Sequence, residues 1–482
     1  MARKDTIVKI LPGDRFTPFG LARKLSARAI LESSSFQRGR ERYSVILVRE
    51  AFRVEQRGRD VVVVSDAGER PATGDPADIL DALVALADQH GQLHQDFPFP
   101  AGGIGYLSFE FARFCDISTF RSKSDPLGLP DAAFLLGHVF VIFDHYTDLL
   151  YVIGVNYDEH QIDLEEAVGA VESRLADMDF TYLSADSQEY PATYVNAPDD
   201  RPYYTAAVNR IREEIVAGNL LQAVPSRRVE VRTSIPAIEA YRRLRTTNPS
   251  PYLFYLDFGT YQLLGASPEV HVRVKDGKAI VRPIAGTRRR GEDRQQDRAL
   301  EHELLNDEKE QAEHLMLVDL ARNDLGRVCK PGTVKVTASM VVERYSHVMH
   351  LVSQVEGELP DGVGGAQAVR ATFPAGTVSG APKLRAIQVL DEIEPVRRSF
   401  YAGIVGYVEP GGNLDTCITI RAALKQGDLM VLQAGGGVVF DSQPEREYQE
   451  TQEKLGALAV AIGLDLGNST GTARESAKEA AK

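Results

Sequence analysis

Two neighbouring segments constrain the fold of this chain more than any other feature. In PYLFYLDFGTYQLLGAS (251–267) and HVRVKDGKAIVRP (271–283), β-branched and aromatic runs are separated only by short glycine turns. Such runs read as strands. Asp276-Gly277 suits the type I′ turn of a two-residue hairpin. Adjacent hairpins imply antiparallel sheets, which predicts an α+β class rather than a doubly wound parallel one.

The rest of the chain supplies further pieces of both kinds. VILV (45–48), VVVV (61–64) and FLLGHVFVIF (134–143) are strand-like, and LDALVALADQH (80–90) has helical spacing. Residues 183–201 are polar, contain two prolines and can bury little apolar surface, so they read as a linker. After it, Asp200 and Pro202 suit a helix start, and Val208, Ile211 and Ile215 fall on one face of that helix. The expected division is an N-terminal region over 1–182, the linker, a second region over 202–463 and a frayed polar tail over 467–482.

Composition removes several classes of function. Lys and Arg number 55 against 68 Asp and Glu, giving a net charge of −13. An acidic chain repels nucleic acid and anionic membrane, so neither is an expected partner. A small anionic substrate would need a local cluster of basic groups or a bound metal. Cys115, Cys329 and Cys417 are far apart with no CxxC pair, which argues against a zinc site or a disulfide framework. No apolar run approaches the ~18 residues of a membrane span, and the first residues do not read as a signal peptide. A cytoplasmic protein is the expectation.

Three sets of residues carry chemistry. Glu310 and Glu313 share a helix face, as do Glu447, Glu450 and Lys454. Two such faces could meet over a hard divalent cation such as Mg²⁺, although an ExxE on a helix is usually a solvated face. GTVSGAPK (376–383) and QAGGGVVFDS (433–442) strip side chains from loops, so that backbone N–H groups can approach an anion. Neither fits a nucleotide-binding motif, which leaves a carboxylate as a reasonable guest. Finally, Gln222, His350, Tyr401 and Arg421 stand alone in apolar runs. Each by itself is more often structural than catalytic; together they suggest a shared pocket without naming a reaction.

The segments LLQAVPSRR, NPSPYLFYLDF, GASPEV, RPIAGTRRRG, DEKEQAEHLMLVDLARNDLG, FPAGTVSGAPK, FYAGIVGY, TCITIRAAL, QAGGGVV and PEREYQETQEK follow one another over residues 202–460. In this order they resemble the chorismate-utilising enzymes. FTPFGLARKL, ILESSS, RYSVI and AGGIGYLSFEF resemble the N-terminal region of anthranilate synthase large subunits. The resemblance implies two large antiparallel sheets packed on each other and flanked by helices. It implies Mg²⁺ on Glu313 and Glu450, supported by Glu310 and Glu447, holding the ring carboxylate of chorismate. Arg421, Lys454, Tyr401 and the N–H groups of Gly435 and Gly437 look like binders of the enolpyruvyl side. Gln222, Thr287 and Thr377 match other substrate-lining positions, and Thr377 joins Glu269 and His350 in the expected catalytic set.

Two positions choose among branches of the family. The isochorismate and salicylate synthases resemble this chain but carry Lys at the position of Gln222, expected to activate water. A neutral amide cannot act as that base, so ammonia is the expected nucleophile. Aminodeoxychorismate synthases often read PIKGT, with a Lys able to attack covalently; this chain reads PIAGT, with Ala285. The expected reaction is amination of chorismate at C2, with Glu269 as general acid, followed by loss of pyruvate with His350 as acid/base, to give anthranilate for tryptophan synthesis. The alternative products are aminodeoxychorismate and aminodeoxyisochorismate. The ammonia is expected from a separate glutamine amidotransferase subunit. Leu31, Glu32 and Ser33 resemble the family's tryptophan-binding motif, with Asn248, Pro249, Ser250, Pro251, Tyr252 and Tyr407 as its other wall. Tryptophan is thus the expected feedback inhibitor.

Overall fold

A computed structural model describes residues 5–33, 42–90, 97–115, 120–177, 179, 188–195, 200–344 and 348–466. Both hairpins form as their turn chemistry demands. Val270–Lys275 returns on Lys278–Val281, with Arg273 opposite Ile280 and Lys275 opposite Lys278. Asp276 (φ 51°) and Gly277 (φ 74°) are both left-handed, as a type I′ turn requires. Tyr252–Asp257 pairs with Gln262–Ser267 from Tyr252 opposite Ser267 to Asp257 opposite Gln262.

The antiparallel α+β architecture is present on a large scale. Among the described residues, 21 strands join in one hydrogen-bonded network, and a separate two-stranded ribbon pairs Gln222–Ala223 with Gly380–Ala381. The network crosses between the N-terminal and C-terminal regions. Ala29–Glu32 pairs with Tyr252–Asp257, Leu31 lying opposite Phe254. Ile104–Leu107 pairs with Ile404–Val408, Gly105 lying opposite Gly406.

Strand alternation feeds two apolar layers. Every residue of Ala132–Asp144 is buried, which is why FLLGHVFVIF reads as a continuous apolar run. Phe134, Phe140 and Ile142 enter one cluster, which also holds Phe254, Leu263, Val272 and Ile404. Val139, Val141 and Phe143 enter the other. That second layer is covered by helices Pro18–Lys24, Leu164–Ala176, Ala237–Thr247 and Pro444–Ile462, through Leu21, Val168, Tyr241 and Leu458. Each such side chain contributes about 1.5–3 kcal/mol on burial.

Two local expectations resolve differently. The polar 183–201 segment contributes a strand, Ala192–Tyr194, with Thr193 opposite Arg232; its residues 183–187 and 196–199 and the tail 467–482 lie outside the described residues. Helix Arg201–Val216 starts after Asp200, but the Asp200 side chain does not cap it. Its carboxylate accepts instead from Arg227 Nη1 at 2.5 Å and from the Tyr448 hydroxyl at 3.0 Å. A charged partner outbids a backbone N–H here.

Candidate active site

The glycine segments and Gln222 meet at the small ribbon. Gln222 pairs with Ala381, and Val224 N–H donates to Ser379 O at 3.0 Å, so the ribbon ties LLQAVPS to GTVSGAPK. Strand Leu429–Gly435 arrives alongside, with Gly435 opposite Ser226. A Cβ at Gly435 would stand 2.5 Å from Pro225 O and 3.1 Å from the Tyr401 hydroxyl, and one at Gly437 would stand 2.5 Å from Gln222 Nε2. Gln222 and Tyr401 are therefore packed against bare backbone. The Gly436 N–H is taken by the Tyr204 hydroxyl at 3.1 Å. Sequence reading passed over Tyr204, which looks like an ordinary apolar-face residue of its helix; the doubled Tyr203-Tyr204 in the first helical turn was the only signal.

The two acidic faces approach each other from separate helices. Asp307 caps helix Glu308–Gly326, accepting from Lys309 N and Glu310 N. Glu310 is held by Arg288 Nη1 at 3.1 Å and Glu313 lies 3.8 Å from Lys309. On helix Pro444–Ile462, Glu450 pairs with Lys454 at 2.6 Å, and Lys454 also donates to Gly435 O at 2.8 Å. Burial pushes the Glu313 carboxyl up, and Glu310, Glu447 and Glu450 push it further, against the opposing charge of Lys309. Glu447 is also raised, first by burial and then by Glu450, and its Oε2 is buried with no hydrogen-bond partner. Among the described residues no three Asp, Glu, His or Cys side chains sit close enough together to hold a metal. The donor set nonetheless fits a hard divalent cation: Glu313 is repelled by the other three carboxylates, Glu447 by Glu450, and the buried Glu447 Oε2 is unsatisfied, all of which such an ion relieves.

A second group of predicted residues gathers beside these acids. Glu269 is buried, at 8% exposure. Burial pushes its carboxyl up to about 7, against the pull of Thr377, Arg421 and Lys454. Thr377 Oγ1 is buried and close enough to favour the Glu269 anion, yet makes no hydrogen bond of good geometry. Arg421 has left-handed backbone (φ 52°), at the bend between strands Leu414–Ile418 and Ala422–Gln426. Burial lowers its pKa, while Tyr401, Glu450 and Glu269 favour its charge; its side chain makes no hydrogen bond or ion pair among the described residues. His350 Nδ1 lies 3.2 Å from Gly286 O, an arrangement in which that nitrogen carries the proton and donates. Burial, and then the Arg421 charge, keep the ring neutral. Thr287 faces His350 in the strand register.

The remaining predicted residues belong to another place. A cavity of about 690 Å³ is lined by Leu31, Glu32, Ser33, Pro251, Tyr252 and Tyr407. Asn248, Pro249 and Ser250 are not among its lining; they form the turn that ends helix Ala237–Thr247 and leads into strand Tyr252–Asp257. Glu32 is buried, accepting from the Tyr241 hydroxyl at 2.6 Å and paired with Arg245 at 2.8 Å. Arg42, Arg273, Glu409 and Asp415 also line this cavity and were not anticipated, because they come from three separate parts of the sequence.

Antiparallel sheet, paired acidic helices and a glycine-lined basic pocket together define a known class. The family described as chorismate binding enzyme matches residues 37–460, and the chain belongs to that family. Within it the matches are specific. Anthranilate synthase component 1 of Spirochaeta aurantia is 61% identical over 466 residues, covering 96% of each chain. That of Cereibacter sphaeroides is 40% identical over 464 residues, covering 93% of this chain and 92% of its own. The crystal structure of anthranilate synthase component I from Streptococcus pneumoniae superposes with a TM-score of 0.77 at 35% identity, covering 87% of this chain and 92% of that one.

Proposed function

We propose that this chain is the chorismate-converting component of an anthranilate synthase, aminating chorismate at C2 with ammonia and eliminating pyruvate. The observation that carries the chemistry is Glu269, a buried carboxyl poised at about 7 beside Thr377 and Arg421. An acid with that value is half protonated at neutral pH, near the optimum for general acid catalysis. In the first step ammonia bonds to ring C2, the ring double bonds shift, and the C4 hydroxyl leaves as water with the proton of Glu269. In the second, the ring proton at C2 is lost and the enolpyruvyl group departs as pyruvate, with neutral His350 as acid/base. Arg421, Tyr401 and Lys454 bind the dianion, and the bare backbone at Gly435 and Gly437 lets its carboxylate approach. A Mg²⁺ ion on Glu313 and Glu450, supported by Glu310 and Glu447, would supply a cationic anchor for the ring carboxylate.

Gln222 has no basic group to activate water, and Ala285 offers no amine for covalent attack, which supports direct 2-amination. The chain's own thiols are poor nucleophiles: all three cysteines are buried, burial pushes Cys329 up to about 11, and Cys115 and Cys417 are raised further. This supports a separate glutamine amidotransferase component as the ammonia source. The 690 Å³ cavity is assigned to tryptophan as feedback inhibitor, its size and aromatic rim suiting an indole.

The test is anthranilate fluorescence from the purified chain with chorismate, Mg²⁺ and excess ammonium salt. The chain has no Trp, so the background is low. A rise that EDTA abolishes supports the reading. Chorismate consumed without fluorescence assigns the chain to an aminodeoxychorismate-type reaction and overturns it.

A further inference from the structure

Behind the site lies a buried arginine that the mechanism does not use. Arg398 is 2% exposed, among the most deeply buried large side chains of the protein. Its Nε and Nη2 donate to the two oxygens of Glu394 at 2.7 and 2.6 Å. Nη1 donates to Val378 O at 2.8 Å and Nη2 to Val224 O at 2.6 Å. Four of the five guanidinium N–H bonds thus have identified acceptors. The cation also stacks over Phe109 at 4.5 Å and lies 5.9 Å from the Tyr401 ring centroid.

What these bonds reach is more informative than their number. Val378 follows Thr377 in the turn Gly376–Val378. Val224 lies two residues beyond Gln222. Tyr401 stands three residues along from Arg398 itself. The Glu394 carboxylate is in turn fixed by Ser226 N–H at 2.8 Å and the Ser226 hydroxyl at 2.9 Å, and Ser226 is opposite Gly435 in the strand register. The backbone at Arg398 and Ser399 is anchored to the N-terminal region, its two N–H groups donating to Glu110 at 2.7 and 3.0 Å. The segments bearing Thr377, Gln222 and Tyr401 therefore meet at one planar cation, and Glu394 ties it through Ser226 to the strand that ends at Gly435.

We infer that Arg398 is a positioning residue for the chorismate reaction: through Val378, Val224 and Glu394 it fixes the Thr377 turn, the Gln222 ribbon and Tyr401 in register around the substrate. This rests on the site assignment made above. Only a guanidinium can serve the inference, because its donors leave in one plane and at fixed angles, whereas an ammonium is a point donor on a flexible stem. Displacement of a catalytic group by about 1 Å is enough to cost on the order of 10²-fold in rate.

The experiment compares Arg398→Lys with wild type in chorismate consumption, read separately from product identity, over pH 5–9 with ammonium salt and Mg²⁺. Product identity reports on the reaction; the ratio of variant to wild type reports on Arg398, so the two readings fail separately. The expected result is a folded variant whose kcat falls about 10²-fold, with a smaller change in KM. The decisive readout is the alkaline limb of the pH profile. Thr377 favours the Glu269 anion; once its turn slackens, Glu269 holds its proton to higher pH and the limb moves up. A purely structural defect lowers the active fraction and leaves the limb where it was. Should Arg398→Lys fail to fold, the pair Arg398→Met with Glu394→Gln removes both buried charges together and is read the same way. An unchanged kcat, or a loss matched by the loss of folded protein with an unmoved limb, overturns the inference.

Discussion

Glu269→Gln separates stability from catalysis in a single carboxyl. The folded-state value of about 7 lies above the ~4.3 of an exposed glutamate. A raised folded pKa means that the stabilising contribution is complete below the unfolded value and is lost as pH rises through the folded one. The loss therefore accumulates between about pH 4.3 and pH 7 and is level beyond that. Glutamine cannot ionise, so the variant's Tm should rise relative to wild type across that window in calorimetry at stepped pH. Its turnover should meanwhile fall by ~10²–10⁴-fold. His350→Met should spare amination and block elimination, so an aminated, non-aromatic intermediate should accumulate and be recoverable by chromatography. Full anthranilate formation by that variant would refute the role given to His350. Glu269, Thr377, His350 and Arg421 were nameable from their motifs. Tyr204 and Arg398 were not: the Gly436 N–H that Tyr204 holds stands 232 residues away and the Val224 carbonyl that Arg398 holds stands 174 residues away, while the Glu394 pair four residues from Arg398 reads as an ordinary local ion pair.

At the scale of elements, the glycine turn is the part least able to change. A methyl at Gly435 would meet the Pro225 carbonyl at 2.5 Å, and that atom is backbone immediately before Ser226, the residue that pairs with Gly435. Gly435→Ala should therefore push the turn away from Tyr401, lowering kcat/KM for chorismate at least ~10-fold while costing about 1–3 kcal/mol of stability. Steady-state kinetics alongside urea unfolding checks both. The hairpins and the two acidic helices were legible because turn chemistry and helical spacing are local signals. The strand Ala192–Tyr194 was not: three residues in a polar stretch carry no periodicity, and their pairing is supplied by the backbone of Ser226–Thr233. Asp200 likewise reads from sequence only as part of a helix start, and only the folded chain brings Arg227 to it.

At the scale of the molecule, the 690 Å³ cavity and the candidate active site share one stretch of chain. Val405, Gly406 and Tyr407 line the cavity, and Tyr401 stands just upstream in the same segment. If tryptophan binds there, it should raise Tm by the usual linkage, equivalent to about 2.7 kcal/mol at a hundredfold excess over its Kd. Tyr252→Ala, which removes a wall of the cavity and the hydroxyl bonded to Asp415 at 3.0 Å, should abolish that shift without abolishing ammonia-dependent turnover. The α+β class was readable from the hairpins, but the strand order was not, because it depends on pairings hundreds of residues apart. Those pairings bear on how the protein is made. Leu31 waits for Phe254, 223 residues later, and Gly105 for Gly406, 301 residues later. At a synthesis rate of roughly 5–20 residues per second, the first wait lasts about 10–45 s. Throughout it the nascent chain on the ribosome carries unpaired strand edges, the surface that chaperones bind and that aggregation exploits. Where this sheet places its partners thus sets how long those edges stay open while the chain is being made.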